Sequence, residues 1–338
     1  MSSESGPLSF LVCDRRVPAL AGTWPTVATV LREMGHAVTV SEDNVRDFAG
    51  FDVVLMWNNP GYFPATRRWL LDLPKAQRPV VTVMFAEPLP PPRASGLPRW
   101  PVLNTAEIAK ILLGDWRATD VYTNEYKLRR SIRERLVDVL FVVGGEQKEY
   151  ADEQGYDAQR FEYGYHENFG TIMGLERDVD VLFLGETRQR RRRHLLRQLR
   201  QLGVRVIVRG SWHKDSNALW GDERTRFLNR TKIVVHLQRY PGKVASKRFV
   251  LAMANGAMVV SEPCYRPDPF IDGEHYVSAP IEQMPEVISH YLNHPLERER
   301  ITAAAHRFVT QDLTWHKTME SVLMAIRVGR AMVKWNAR

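Results

Sequence analysis

The feature of this sequence that most suggests a functional site is a long basic stretch without a carboxylate. Thr225–Ser261 covers 37 residues without an Asp or a Glu. Apolar runs at Ile233–Val235 and Met258–Val260 indicate that the stretch is packed in an α/β core and is not a solvated tail. The stretch predicts either an anion-binding site or a basic surface neutralised by acidic residues elsewhere. Its basic residues are Arg226, Arg230, Lys232, Arg239, Lys243, Lys247 and Arg248.

Lys247 and Arg248 are the best candidates for contacts to an anion. Ser246 can cap a helix that begins at Lys247, and Gly256 lies where that helix should end. Two cations in a first turn oppose the helix dipole, whose positive end lies there. A bound phosphate reverses that penalty, because backbone N–H groups and basic side chains then converge on one anion.

Length and composition predict two domains. The chain has 338 residues, about twice the usual domain length. Its net charge of +8 permits attraction to nucleotides, nucleic acid or anionic lipid without choosing among them. The two cysteines, Cys13 and Cys264, argue for a reducing compartment and against a disulfide framework or a zinc site. No apolar run is long enough to span a membrane, so we expect a cytoplasmic protein.

The first half alternates strands and helices. Leu8–Asp14, Trp24–Met34 and His36–Ser41 have the spacing of a β-α-β unit. Buried runs at Phe51–Trp57 and Val80–Phe85 indicate further parallel strands with crossover helices. The remaining expected elements are helices at Ala65–Leu73, Asn104–Leu113 and Lys127–Leu136 and a strand at Val137–Val143.

The second half repeats this alternation. Strands are expected at Val179–Gly185, Val204–Gly210, Ile233–Leu237 and Met258–Ser261, with helices at Arg190–Leu202, Glu223–Asn229 and Lys247–Asn255. The fold class is therefore α/β, with two Rossmann-like doubly wound domains that face a cleft. We place the domains at Met1–Gly164 and Tyr165–Asp312.

The last segment, residues 313–338, is expected to form a helix that packs back on the first domain. Apolar residues recur at helical spacing within Thr314–Lys334, and Gly329 falls on the same face. A glycine lowers the helix propensity of the last turns.

Several segments of the second half resemble one enzyme family in order and spacing. They are FLGETRQRR, LNRTKIVVHLQR, SKRFVLAMANGAMVVSEP, PFIDGEHYV and HYLNHPLERERITAAAHRFV. Phe183–His316 thereby resembles the C-terminal domain of the CgeB-like (spore-maturation-protein-like) glycosyltransferases, which have the B-type (GT-B) fold of two Rossmann domains. The first half resembles that family only in its β-α-β rhythm and in the sequence YGYHENF.

The resemblance implies a glycosyltransferase that binds a nucleotide-diphosphate sugar through its second domain and an unidentified acceptor through its first. Lys247 and Arg248 would stabilise the leaving diphosphate. Gly185, Arg188 and Arg193 would lie beside it, on the loop and helix after the first strand of the second domain. The nucleotide sugar is a co-substrate, and no cofactor or metal is expected.

One position departs from the pattern of many GT-B enzymes. Those enzymes commonly hold the ribose hydroxyls with a glutamate before the Ala-Met-Ala element, where this chain has Leu251. Glu262, after the next strand, is the nearest substitute, and it could equally cap a turn before Pro263. Leu251 is also compatible with a different donor or with lost activity.

Three further residues have both a functional and a structural interpretation. Trp212 could stack on a nucleobase or simply pack in the fold. Glu87, after a strand, and His166, near the domain junction, are candidates for the catalytic base. Either could instead be a structural hydrogen-bonding group.

Two other patterns are given less weight. Asp178 and Asp180 form an Asp-x-Asp sequence typical of metal-dependent A-type glycosyltransferases, but they precede a strand instead of following one. The arginine run Arg190–Arg193 could bind nucleic acid, although no aromatic residues interleave with it and no reader motif accompanies it. A solvated helix face with one or two phosphate-facing arginines is favoured.

Two functional classes remain. The leading class is a metal-independent glycosyltransferase. The alternative is a catalytically degenerate GT-B protein that only binds nucleotides. Within the enzyme class, the acceptor could be a macromolecule such as modified DNA or a protein, as the charge of +8 permits.

Overall fold

The computed structural model describes residues 6–14, 25–45, 47–97, 120–187, 189–210, 219–244 and 246–336. These residues form two compact units. The first contains the described residues within 1–16, 27–161 and 319–338, and the second those within 17–26 and 162–318. The expected helix Asn104–Leu113 lies outside the described residues.

The first unit is built on a six-stranded parallel sheet of order β2-β1-β3-β4-β5-β6. Every residue of its central strands β3 and β4 is buried, as expected for parallel strands covered on both faces. The strands are β1 Ser9–Cys13, β2 Ala37–Ser41, β3 Val53–Trp57, β4 Val80–Phe85, β5 Val139–Val143 and β6 Ala158–Phe161. The helices are α1 Pro25–Glu33, α2 Pro64–Asp72, α3 Asp120–Arg133 and α4 Gly144–Glu153.

The second unit has its own parallel sheet, of order β11-β10-β9-β7-β8. Its core is formed by apolar strand residues and by the inner faces of the helices. The strands are β7 Val179–Leu184, β8 Ile207–Arg209, β9 Thr231–His236, β10 Met258–Ser261 and β11 Val277–Ser278. The helices are α5 Arg190–Gln201, α6 Gly221–Asn229, α7 Ser246–Ala254, α8 Met284–Asn293 and α9 Pro295–Arg307.

The expectation of two parallel α/β sheets is confirmed. The bounds of β4 and β10 are those predicted, and helix α3 begins seven residues before the predicted Lys127. Helices α4, α8 and α9 and strands β6 and β11 were not predicted. Helix α4 begins with Gly144 and Gly145, which predict a turn, so tertiary packing overrides local propensity there.

The last helix, α10 (Trp315–Asn336), belongs to the first unit from Met319 onward, which confirms that the C-terminal helix packs on that domain. Arg330 forms an ion pair with Asp52. A Cβ atom placed on Gly329 would lie 2.6 Å from Cγ2 of Val139. The glycine therefore permits a close approach of the helix to β5. No helix in the described part of the chain has the length and apolarity needed to cross a membrane.

Candidate functional site

The candidate site lies at one edge of the second sheet. Strands β7, β8, β9 and β10 run parallel, so the residues that follow them meet at the same edge. These residues are Gly185, Gly210, Leu237 and Glu262. Helices α5 and α7 begin after β7 and β9, so their N-termini also belong to this edge.

Two glycines bring the backbone close to Arg248. A Cβ atom on Gly185 would lie 3.3 Å from the guanidinium carbon of Arg248. A Cβ atom on Gly210 would lie 2.9 Å from the backbone nitrogen of Gly185, and Gly210 has φ +94°. The sequence elements after β7 and β8 and the first turn of α7 therefore converge at one place.

Arg248 lacks an acceptor in this environment. Its guanidinium is partly buried and has no hydrogen bond or ion pair with any residue that the structure describes, and Nη1 is fully shielded from solvent. Burial and the charge of Arg239 lower the pKa of Arg248 to about 10. A buried guanidinium normally has a carboxylate or another acceptor, because leaving it unpaired is costly.

Lys247 lies beside Arg248 in the first turn of α7, and Ser246, the first residue of that helix, is buried. Burial, followed by the charges of Arg224 and Arg248, lowers the pKa of Lys247 to about 7. An anion bound here would be stabilised by both side chains and by the N–H groups at the start of the helix.

The arginine run after β7 contains both exposed and buried side chains. Arg193 is exposed. Arg192 is buried, and it donates from Nε to the Leu237 carbonyl at 3.1 Å and from Nη1 to the Glu186 carbonyl at 3.3 Å. Burial and the charges of Arg248, Arg239 and Arg191 lower the pKa of Arg192. Arg188 and Trp212 lie outside the described residues.

Glu262 is already engaged within the protein. Arg191 donates to both of its carboxylate oxygens, and the Gln238 backbone N–H donates to Oε2 at 2.7 Å. The Gln238 side chain donates to the Pro263 carbonyl and accepts from the Gly242 N–H. These bonds fix the loop after β9, and the ribose-binding role of Glu262 stays a prediction.

His236, the last residue of β9, is a neutral imidazole in this site. Ser261 Oγ donates to the Glu262 carbonyl at 2.7 Å, so it accepts from Nδ1 of His236 at 3.0 Å. The proton therefore lies on Nδ1. Burial and the charges of Arg248, Arg192 and Arg191 hold the pKa of His236 well below its usual range.

His166 is buried just before a short 3₁₀ helix, Glu167–Phe169. Its Nδ1 accepts the Asn168 N–H at 3.2 Å, and its ring stacks on that of His316 at 6.4 Å between ring centroids. These contacts favour a structural role, and the role of His166 as a base stays a prediction.

Glu87 lies in the first unit, directly after β4. Tyr62 donates from its hydroxyl to Oε1 at 3.4 Å, and Gln147 donates to the Glu87 carbonyl at 3.0 Å. Glu87 is half-buried and is held by neighbours at the carboxyl end of the first sheet. This is the place where ligands bind in open α/β sheets.

Asp178 and Asp180 lie at the amino end of β7, at the opposite edge from Gly185. Asp178 forms an ion pair with Arg230, and Asp180 pairs with Lys232 at 2.6 Å. The described residues contain no cluster of three or more His, Cys, Asp and Glu side chains that could hold a metal ion.

Reasoning from sequence missed Arg191, Arg192, Arg224 and His236. A signal for Arg192 was present, because Arg192, Leu195, Leu196 and Leu199 have the spacing of one helix face, and all four are buried. No comparable signal marks His236, since a histidine that ends a buried strand is more often a packing residue.

Part of the second half of the chain matches a known protein family. Residues 188–324 match the family described as glycosyl transferase-like. This region belongs to the glycosyl transferase-like family. No curated protein matches the chain.

Several solved structures share the fold of the described chain. Anabaena HepE, solved with UDP and glucose, is similar over 94% of this chain and 99% of its own, with 11% identity and a TM-score of 0.59. A sucrose-phosphate synthase from Thermosynechococcus elongatus is similar over 96% of this chain and 100% of its own, with 11% identity and a TM-score of 0.64.

TarM is similar over 81% of this chain, with 12% identity and a TM-score of 0.56. The chain spans about half the length (54%) of TarM. Together these similarities show that the chain has the GT-B fold. The residues that match the glycosyl transferase-like family, 188–324, include Arg192, Lys247 and Arg248.

The geometry of this glycosyl transferase-like region fits the binding of a compact polyanion. Fixed cations, a helix N-terminus and a glycine-lined backbone lie at one sheet edge, and one of the carboxylates there, Glu262, is paired with Arg191. Such an arrangement stabilises negative charge that develops on a leaving diphosphate.

Proposed function

We propose that this chain transfers a sugar from a nucleotide-diphosphate sugar to an acceptor hydroxyl without the help of a metal ion. The observation that carries the proposal is Arg248. Its guanidinium is partly buried at the start of α7, lies 3.3 Å from where a Cβ atom on Gly185 would be, and has no acceptor among the described residues. A diphosphate at this place would supply the acceptor that the guanidinium needs.

The cations would act on the leaving group. Transfer breaks the bond between the anomeric carbon and a diphosphate oxygen, and negative charge grows on that oxygen. Arg248, protonated Lys247 and the first N–H groups of α7 would stabilise this charge. Because they are fixed before the reaction, they can do the electrostatic work that a divalent cation does in metal-dependent transferases.

The acceptor would be bound by the first unit. Glu87 is the candidate general base, because it follows β4 at the carboxyl end of the sheet and its orientation is supported by Tyr62. It would remove the proton of the acceptor hydroxyl as the oxygen attacks the anomeric carbon. A small sugar and a macromolecule such as modified DNA or a protein are both compatible acceptors.

A nucleotide-binding protein without catalysis is the second candidate. Leu251 stands where many GT-B enzymes have a glutamate, and the nearest carboxylate, Glu262, is engaged by Arg191. Both observations fit a site that keeps the contacts to the phosphates and has lost part of the contacts to the ribose.

Release of free nucleoside diphosphate separates the two candidates. The protein is incubated with a panel of nucleotide sugars that includes UDP-glucose, because HepE was solved with UDP and glucose. Slow donor hydrolysis is expected from a transferase and none from a binding protein. Arg248→Ala should weaken nucleotide binding about tenfold or more, while Arg197→Ala, at an exposed position of α5, should not. Unchanged affinity in Arg248→Ala would refute the phosphate site.

A further inference from the structure

A groove lies between α10 and the amino edge of the first sheet. Its volume is about 590 Å³, and all of its lining residues belong to the first unit. One wall is α10, and the other includes Pro7, just before β1, together with Met34 and His36, between α1 and β2. Nδ1 of His36 accepts the Leu8 N–H at 3.0 Å, which fixes that wall. The groove therefore lies at the opposite edge of the sheet from Glu87, which follows β4.

One face of α10 presents apolar and charged side chains to this groove. Glu320, Leu323, Met324, Arg327 and Val328 line it, and their spacing is that of a single helix face. Leu323 is buried, whereas Met324 is 69% exposed and Val328 is 57% exposed. Large apolar side chains that lie exposed beside one another at the rim of a groove are typical of an interaction surface.

The two charged residues of this face have no counter-charge within the described part of the chain. Arg327 donates from Nη2 to the Gly6 carbonyl at 3.3 Å, and its Nε is buried without a hydrogen-bond partner among the described residues. Glu320 is exposed and forms no hydrogen bond or ion pair with any residue that the structure describes. A molecule that fits this face would offer a cation to Glu320 and an acceptor to Arg327.

Glu320 and Arg327 lie at symmetric positions along α10. Glu320 comes three positions before Leu323, and Arg327 comes three positions after Met324. If two α10 helices pack antiparallel about a two-fold axis between Leu323 and Met324, Glu320 lies opposite the partner's Arg327. A two-fold axis repeats each contact, so the arrangement forms two ion pairs around an apolar centre.

We propose that the chain forms a homodimer in which α10 packs antiparallel on the α10 of a second copy, with Met324 entering the groove of the partner subunit. The face is complementary to itself, because it carries both members of the charge pair at matching positions. Lys317 and Arg330 also come opposite each other in this dimer. Each contacts an acidic residue of its own chain, which is Asp312 for the lysine and Asp52 for the arginine.

Sedimentation equilibrium of the full chain tests the dimer. The average mass should rise with concentration from 39.0 kDa toward twice that value, with a micromolar dissociation constant, as a small interface provides. Met324→Asp should weaken association about tenfold or more, because two carboxylates then meet beside the axis. Leu296→Asp is the matched control, since Leu296 is an 80% exposed apolar residue on α9, and it should leave association unchanged.

Charge reversals test the pairing of the two helices. Glu320→Arg and Arg327→Glu each bring like charges together, so each variant alone should dimerise about tenfold more weakly or worse. When the two variants are mixed, both pairs are oppositely charged again, and a heterodimer should form with about the affinity of the unchanged chain. Glu299→Arg, at an exposed position of α9, controls for the change in net charge.

Thermal unfolding checks that each variant is folded, because Arg327→Glu also removes the contact to the Gly6 carbonyl. If that variant does not fold, Glu320→Arg and Met324→Asp decide the question. A chain that stays monomeric up to about 1 mM overturns the proposal and leaves the groove to a different partner. A dimer that neither Met324→Asp nor Glu320→Arg weakens also overturns it, and so does a mixture of folded reversed variants that fails to associate.

Discussion

A Cβ atom on Gly185 would lie 3.3 Å from the guanidinium carbon of Arg248, although 63 positions of sequence separate the two residues. The glycine follows the first strand of the second unit, and the arginine lies in the first turn of α7. The absence of a side chain at residue 185 is what allows the guanidinium to lie against the backbone.

Gly185→Ala should therefore weaken nucleotide binding through Arg248. The new Cβ would lie 3.3 Å from the guanidinium carbon, which is tighter than an ordinary contact, so Arg248 must shift. We expect an affinity loss of about three- to tenfold in calorimetry. In the Arg248→Ala background the part of the loss caused by contact with the guanidinium should disappear, and only the effect of the φ of +157° at residue 185 should remain. Fully additive losses would show that Gly185 acts independently of Arg248.

Donor affinity should fall as the pH rises above about 7, the pKa of Lys247 in the unliganded protein. A bound diphosphate stabilises the protonated amine, so the complex keeps a proton that the free site loses. The decrease should reach up to about tenfold per pH unit, measured with a nucleotide sugar because it has no terminal phosphate that titrates near pH 6. Lys247→Arg should bind with little pH dependence. An unchanged pH profile in that variant would exclude Lys247 as the titrating group.

Glu262→Gln should destabilise the second unit. The change removes the charge that pairs with Arg191 and weakens the acceptor of the Gln238 N–H. A loss of about 2–3 kcal/mol in the free energy of unfolding is expected, because the carboxylate is largely buried. Asp180→Asn is the control, since its ion pair with Lys232 is largely exposed. Equal effects of the two changes in denaturant unfolding would contradict the importance of the Arg191 contact.

Donor hydrolysis or transfer should survive chelation by EDTA. Fixed cations would stabilise the leaving diphosphate, and Asp178 and Asp180 form ion pairs at the other edge of the sheet. Asp180→Asn should leave the rate nearly unchanged. Loss of activity in EDTA, rescue by Mn²⁺ or Mg²⁺, and no rescue in Asp180→Asn would together refute the metal-independent mechanism.

Gly329→Ala should destabilise the first unit in spite of the better helix propensity of alanine. Alanine gains about 1 kcal/mol in a helix, but its Cβ would lie 2.6 Å from Val139, and overpacking costs about 1–3 kcal/mol. In a Val139→Ala background Gly329→Ala should instead stabilise the first unit, because the clash is gone. Thermal unfolding of the four proteins measures this coupling. If Gly329→Ala lowers the stability equally in both backgrounds, the clash with Val139 is not the cause.

The sequence predicted the repeated α/β order well because buried parallel strands appear as apolar runs. Val80–Phe85 and Met258–Ser261 were located to the residue. The glycines that begin α4 and the polar residues of α9 contain no strong periodic signal, so these helices depend on tertiary packing.

The candidate site was predictable where basic residues lie in the first turn of a predicted helix. The sequence singled out Lys247 and Arg248 because two cations in a first turn oppose a helix dipole, and their role stays a prediction. Arg192 was passed over for Arg193, although the buried face of α5 distinguishes them, and the engagement of Glu262 by Arg191 joins residues 71 positions apart. Pairings at that separation are set by the sheet order and cannot be read from local sequence.

The C-terminal helix makes the first unit discontinuous along the chain, since Met319–Asn336 returns to a sheet whose strands end at Phe161. During synthesis, residues 162–318 leave the ribosome before this helix does. The second unit can then complete its sheet while the first still exposes the apolar surface around Val139. The half of the protein that is made first is thus the half that finishes folding last.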